Sequence, residues 1–540
     1  MHVFEIIIGL LLAGAVLTVV SRRIGIPYPA LVALAGAGLA LVPGTPALVL
    51  DPELALTLFV APVLLDAAFD ASARDLRANW RPVAGLAVGA VVFTVVVVAV
   101  VARKLIPDMP WAAAVALGAI VAPPDASAAT AVLKQLRPPH RLMVILEGES
   151  LFNDASALLI YRFAVGLMFA GSLSPASVIP SLLLVTVGSL VLGYVLARVI
   201  VPLISRIDDV VVAVAAQFCS AFGTWILAER LHLSGILTVV VFAMVSARTS
   251  AHITPARIRI PAYAVWEFAV FVLNVLAFML VGFQLKAILD RVDARTLTAY
   301  ASVALAVCLA TILARLAWVY VASAYRRWRP RRAAGSEHDV ERPVAMTRRE
   351  AVLVGWSGMR GIVTLAAALA LPTAFPHRDL ILFTAFAVVL VTLVVQGMTL
   401  RPLMNLLKLE DDGMVDRELR LARVETFRAA LGATSTRNAD EISALLRQRY
   451  QFLLKRAEAE AASGSETPAH ADPARGNPHK EIAAVRKALA AERKRLLGLR
   501  ADGTIGDAAF QRLEQELDLE ELSLQQLIPG EESLSPSDGR

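Results

Sequence analysis

Within the stretch Glu147-Gly148-Glu149-Ser150-Leu151-Phe152-Asn153-Asp154, two carboxylates, an amide and a hydroxyl fall within six residues of an otherwise apolar segment. On a helix, Ser150, Asn153 and Asp154 stand at i, i+3 and i+4 and share one face, with Glu149 beside them. A carboxylate at the centre of a bilayer costs about 3 kcal/mol on insertion scales, so such groups mark ion or proton paths by default. A hard monovalent cation needs several oxygen ligands, and carboxylate, amide, hydroxyl and freed backbone carbonyls supply them. Asp154 falls about thirteen residues, roughly 20 Å, into its helix, near the membrane middle. A carboxyl buried there holds a proton when no cation is present. One site taking either a cation or a proton is the minimal design for exchange.

Two arginines inside apolar segments, Arg315 and Arg360, are the candidates to neutralise Glu149, since a second free acid would compete for the cation. Arg315 has a second reading, snorkelling to the inner membrane face. Arg162 follows Asp154 by eight residues and has no evident partner in the sequence. Asn274 lies in an apolar run, where an amide ordinarily hydrogen-bonds to a neighbouring helix. Glu267 reads as half-solvated near the inner interface, and His140, His232 and His252 as interfacial residues near helix ends.

These groups need elements to hold them. The chain has 540 residues, 57% hydrophobic and 18% charged, with mean hydropathy +0.64. That profile excludes a soluble enzyme of this length and defines an all-α polytopic membrane protein. Thirteen spans are expected, roughly 3–20, 28–43, 53–69, 82–102, 111–133, 142–169, 177–203, 210–228, 232–247, 262–285, 297–324, 350–371 and 379–407. Loops after odd-numbered spans carry most of the arginines, including Arg22, Arg23, Arg74, Arg77, Arg206, Arg257 and the cluster from Arg326 to Arg349. By the positive-inside rule the first residue lies outside and the tail in the cytoplasm. The run Ile6 to Val20 is followed, not preceded, by positive charge, so it reads as an uncleaved first helix. The arginine placement accounts for the formal charge of +6 without nucleic acid. Cys219 and Cys308 read as small buried residues, with no disulfide or metal cluster. No cofactor is expected.

Thirteen spans divide as six, one and six, and the fifth of each half is broken. Span five holds Ala122-Pro123-Pro124-Asp125, whose prolines remove two backbone donors. Span twelve holds Gly355-Trp356-Ser357-Gly358-Met359-Arg360-Gly361, weakened by glycine. Broken helices at matching positions of two halves point to the substrate site of an inverted-repeat transporter. Beyond residue 409 the chain turns charged. Residues 410–540 read as a cytoplasmic module with helices near 416–432, 439–462, 480–499 and 506–527, and a linker near 463–478. Lys455 with Glu458 and Glu492 with Arg495 suit solvated faces.

The chain resembles the cation/proton antiporters of the sodium–proton exchanger class, electroneutral branch, in its long bacterial form. Four stretches carry the likeness across residues 1–407: Glu147 to Asp154 with the following Ala155, Leu233-Ser234-Gly235-Ile236-Leu237, Gly358-Met359-Arg360-Gly361, and Val395 to Leu403. The resemblance implies that Asp154 alternates between cation and proton. It implies that Asn153 and Ser150 shape the site, with Asp125 as a further ligand, and that Arg315 holds Glu149. It further implies exchange of one cation for one proton without net charge, an elevator-like movement against a dimerising scaffold, and a place in the bacterial inner membrane in pH and sodium homeostasis. Sodium is the expected ion, with potassium or lithium as alternatives. Pro123-Pro124-Asp125 departs from the family, which has Thr beside this Asp, so side-chain ligation from this segment loses a hydroxyl. A gated channel would need a continuous pore; a cul-de-sac between two broken helices fits alternating access better. A sensor role lacks an output motif in the tail, and an intramembrane hydrolase lacks a Ser/His pair or metal-ligand helix.

Overall fold

The computed structural model describes residues 2–24, 27–40, 54, 56–136, 138–170, 175–289, 293–328, 346–409, 411–433, 441–463 and 519. Among these the secondary structure is helical, with no strand. Apolar runs that cannot offer their peptide groups to water must satisfy them within the segment, and the helix does this.

The chain forms two compact units, Met1–Met414 and Val415–Arg540. The first unit holds α1 (His2–Ile24), α2 (Tyr28–Ala40), α3 (Ala61–Asp70, entered through a π-helical turn at Leu56–Val60) and α4 (Ala73–Ala78). There follow α5 (Trp80–Leu105), the half-helices α6 (Trp111–Val121) and α7 (Ala126–Leu136), and α8 (His140–Ala170). Next come α9 (Pro175–Ile204), α10 (Val210–Arg230), α11 (Gly235–Ile253), α12 (Ala256–Leu289) and α13 (Ala294–Trp328). The half-helices α14 (Arg348–Trp356) and α15 (Ile362–Leu369) precede α16 (Arg378–Leu407). Among the described residues seven helices are long and apolar enough to cross a membrane: α5, α8, α10, α13, α16 and the greater parts of α9 and α12. Four shorter apolar helices lie within α1, α2, α6 and α11.

Small residues bring backbones together where lipid supplies no hydrophobic drive. A Cβ on Gly36 would stand 2.9 Å from the Met279 carbonyl oxygen, locking α2 against α12. One on Gly118 would meet the Val95 carbonyl oxygen at 2.7 Å, which binds α6 to α5. Two buried clusters result. One joins residues such as Val32, Leu133, Val239 and Phe278, the other residues such as Val98, Leu117, Val307 and Ile381. Helix α8 contributes to both, through Ile145 and Tyr161. Cys308 is buried as expected, but Cys219 is exposed on α10, because that helix turns an apolar face outward where no packing is required.

In the second unit, α17 (Met414–Ala433) and α18 (Glu441–Ser463) are described. Glu458 accepts from Arg428 across the two helices at 3.1 Å, and Arg456 pairs with Glu460 at i, i+4. The expected helices 480–499 and 506–527, the linker near 463–478 beyond its first residue, and the Glu492–Arg495 pair lie outside the described residues, apart from residue 519.

Candidate functional site

The two interrupted helices cross. Helix α6 stops at Val121, where Pro123 and Pro124 cannot continue the ladder, and α7 begins after Asp125. Helix α14 starts in a capping box, with Thr347 and Glu350 satisfying each other's backbone N–H groups, and stops at Trp356. Helix α15 begins after Gly361. At the crossing the Asp125 N–H donates to the Met359 carbonyl at 2.7 Å, a backbone bond between the two breaks.

Each break leaves a helix C-terminus with bare carbonyls and a helix N-terminus with bare N–H groups. Arg360, 1% exposed, serves the first kind. Its Nε donates to the Val121 carbonyl at 2.7 Å and its Nη1 to that of Gly358, so one cation faces the end of α6 and the chain leaving α14. Its own N–H donates to Thr392 Oγ1 at 3.0 Å, in the π-helical turn Thr392–Gln396 of α16. Asp125 sits at the opposite pole. It immediately precedes α7, and its carboxylate abuts Gly361, the residue that opens α15. A methyl on Gly361 would overlap that carboxylate, and one on Gly358 would overlap the Arg315 stem. The glycines read as helix-weakeners therefore also make room for charged side chains.

Glu149 of α8 and Arg315 of α13 form a closed pair, 1% and 2% exposed. The two terminal guanidinium nitrogens each donate to one carboxylate oxygen, Nη1 to Oε1 and Nη2 to Oε2 at 2.8 Å, and Nη2 also donates to the Val354 carbonyl of α14 at 3.0 Å. Snorkelling of Arg315 is thereby excluded, and Arg360, the other candidate for Glu149, is occupied with carbonyls. Asp154 is 5% exposed, with Asp125 near enough to act on it electrostatically. Asn153 is fully buried; its Nδ2 donates to the Pro124 carbonyl at 2.7 Å, while its Oδ1 has no hydrogen-bond partner among the described residues. Ser150 is half-buried on the same helix. The carbonyls at the breaks are not idle: those of Val121, Pro124, Gly358 and Met359 each accept a protein donor, and each keeps a second lone pair.

A cavity of about 710 Å³ lies among α1, α2, α3, α10, α11 and α12. Its lining includes Ser21, Asp70, Ile204, Thr254 and Arg259, which adjoin the arginine-rich loops. It also includes Tyr28 and Asn274, and Tyr28 interacts electrostatically with Asp125. Asp66 and Asp70 of α3 also line it, as does exposed Glu267. Asp66 was missed in the sequence although it is an acid within an expected span with Asp70 one turn further on, a pair of acids that the residues alone could have flagged.

Arg162, unassigned in the sequence, donates to both Glu229 oxygens at 2.7 Å. Glu229 also accepts from the Gly235 N–H at 3.3 Å, which ties the Leu233 to Leu237 stretch to α8. Ser234 caps α11 through Leu237. His140 bonds Asp75 of α4 at 3.2 Å, away from the crossing. Burial opposes ionisation of Asp75, but hydrogen bonds from His140, Ser72 and Arg74 outweigh it and hold the carboxyl below its usual range.

A buried acid beside crossed, oppositely compensated half-helices is the arrangement of a substrate site in a secondary membrane transporter. The solved sodium proton antiporter MjNhaP1 of Methanocaldococcus jannaschii matches with a TM-score of 0.57 at 19% identity, over 74% of this chain and 99% of that one. The family described as "Sodium/hydrogen exchanger, transmembrane" matches residues 7–406. The chain belongs to that sodium/hydrogen exchanger family and is a multi-pass membrane protein. It is similar to an uncharacterized Na(+)/H(+) exchanger of Mycobacterium tuberculosis, 32% identical over 96% of each chain. It is also similar to the low-affinity Na(+)/H(+) antiporter NhaS1 of Synechocystis, 31% identical over 74% of each chain.

Proposed function

We propose that this antiporter exchanges one sodium ion for one proton without net charge movement, and that Asp154 is the carrier. One observation supports this above the rest. The two acids on α8 are treated differently: Glu149 is cancelled by Arg315, whereas no arginine or lysine pairs with Asp154 among the described residues. A proton on the Asp154 carboxyl leaves as the cation binds, so the site carries the same charge in both loaded states. Asn153 Oδ1, with Ser150 and Asp125 nearby in the chain fold, supplies further oxygens. Glu149, Arg315 and Arg360 are positioning groups. The first two hold α8 to α13 and α14, and the third neutralises the half-helix ends.

The reading extends to thirteen spans in two inverted six-helix repeats, a transport region 1–409 and a helical tail 410–540. The arginine-rich loops support a cytoplasmic tail with the N-terminus outside, in a bacterial inner membrane. The cavity at that face corresponds to an inward-open state, and the exchanger works as a homodimer whose scaffold stays fixed while the crossing moves. Potassium or lithium as the principal cation is the second reading.

Everted vesicles test the carrier. Asp154→Asn and Asp154→Ala are expected to abolish cation-dependent proton release, and the wild-type rate is expected to ignore an imposed membrane voltage. Retained exchange in both variants would overturn the assignment.

A further inference from the structure

The cavity is lined by two side chains that the exchange site does not use, Tyr28 and Asn274. Tyr28 opens α2, with the Ala30 N–H bonded to the Pro27 carbonyl at 3.1 Å, and its ring lies 6.1 Å from that of Phe271 on α12. Asn274 lies one turn along α12, with its side chain near enough to the Tyr28 hydroxyl to act on it electrostatically. Close packing of Gly36 on the Met279 backbone holds the two helices, and so the two side chains, in fixed register. Both residues line the cavity, and Tyr28 faces Asp125 electrostatically. Asn274 is 5% exposed, yet its Oδ1 has no hydrogen-bond partner among the described residues.

If Asn274 served only to glue helices, its carbonyl would be used. A buried acceptor left without a donor destabilises the fold, and Leu at this position would avoid the cost. The cost is offset when the oxygen has a transient partner, and a cation moving from the cavity to the carboxylates is one of the right kind. Phenol and amide oxygens are hard ligands without charge. They can replace water on a small monovalent cation without trapping it, as conduction past a narrow point requires.

We propose that Tyr28 and Asn274 form a two-oxygen filter between the cavity and Asp154, where the cation sheds water and where preference among monovalent cations is set. This rests on the reading of Asp154 as the carrier.

The experiment measures sodium, lithium and potassium dependence of exchange in everted vesicles for Tyr28→Phe, Asn274→Leu and Asn274→Thr. Tyr28→Phe keeps the ring on Phe271 and removes only the hydroxyl. Tyr28→Phe and Asn274→Leu are each expected to raise the cation KM about tenfold, the equivalent of one lost hydrogen-bond-strength contact. Maximal rate stays unchanged and the sodium-to-lithium ratio shifts, whereas Asn274→Thr, which retains an oxygen, preserves the ratio. Unaltered KM and ratio in both oxygen-deleting variants would overturn the filter. So would a fall in maximal rate with KM and ratio unchanged, the mark of a packing role. If Asn274→Leu does not fold, as judged by size exclusion and thermal unfolding, Tyr28→Phe decides alone by the same criteria. Asp154→Asn in parallel separates the two ideas, since exchange persisting in that variant sinks the carrier assignment and not the filter measurement.

Discussion

The two interruptions produce the same backbone result by opposite means. Pro123 and Pro124 break their helix by lacking donors; Gly358 and Gly361 mark a break that leaves space for charged neighbours. The first carries an acid, Asp125, placed where two half-helices begin; the second carries a base, Arg360, placed where helix carbonyls end. Four half-helix ends therefore meet opposite charge, although neither break is balanced alone. For the exchange proposed above, the consequence is that the carrier, Asp154, would sit beside a neutralised crossing, so that a proton or a cation bound there would change a charge that nothing else in the break has to absorb.

The comparison can be broken most severely at Arg360. Arg360→Leu strands the Val121 and Gly358 carbonyls and removes the cation from the crossing. The expected loss is about 3 kcal/mol of stability, in the range seen when a buried charged partner is deleted; it is read as a lowered Tm of purified protein, with exchange abolished. Gly361→Ala should come next. The added methyl must displace the Asp125 carboxylate, an overpacking cost of about 2 kcal/mol. Gly361→Ala combined with Asp125→Ala should regain part of the lost Tm, because the overlap is gone; failure to regain any would mean that Gly361 serves its backbone alone. The mildest change restores the family residue. Pro124→Thr keeps the carbonyl that Asn153 uses, so Tm and cation KM should shift by no more than about 0.5 kcal/mol equivalent, the size of ordinary neutral substitutions. A large gain in affinity would instead show that the missing hydroxyl matters for ligation.

Much of this was legible in the residues. Paired prolines and clustered glycines announce breaks whatever surrounds them, because the missing donors and the missing Cβ are local properties. Acids and arginines within apolar runs announce function because hydrocarbon penalises them individually. Arg315 and Arg360 were equal candidates for Glu149 on that basis, since charge alone cannot rank two cations on neighbouring spans. Arg162 had no partner to be read, for Glu229 lies 67 residues away at the end of another helix. The donors at the carbonyls were hidden for the same reason: a break exposes acceptors locally, but which donors reach them depends on helices distant in sequence.

For the stretch from Glu147 to Asp154, residue types and spacing determined a helix with oxygen ligands on one face and two acids that hydrocarbon would not tolerate idle. The division of labour between the acids was decided only in three dimensions. Arg315 reaches Glu149 across 166 positions of chain, while α7 and α15 bring Asp125 and the crossing beside Asp154. Periodicity is a property of neighbours along the chain. Charge pairing at the membrane centre is a property of neighbours in space, and the packing of glycine against backbone and side chain is what selects them.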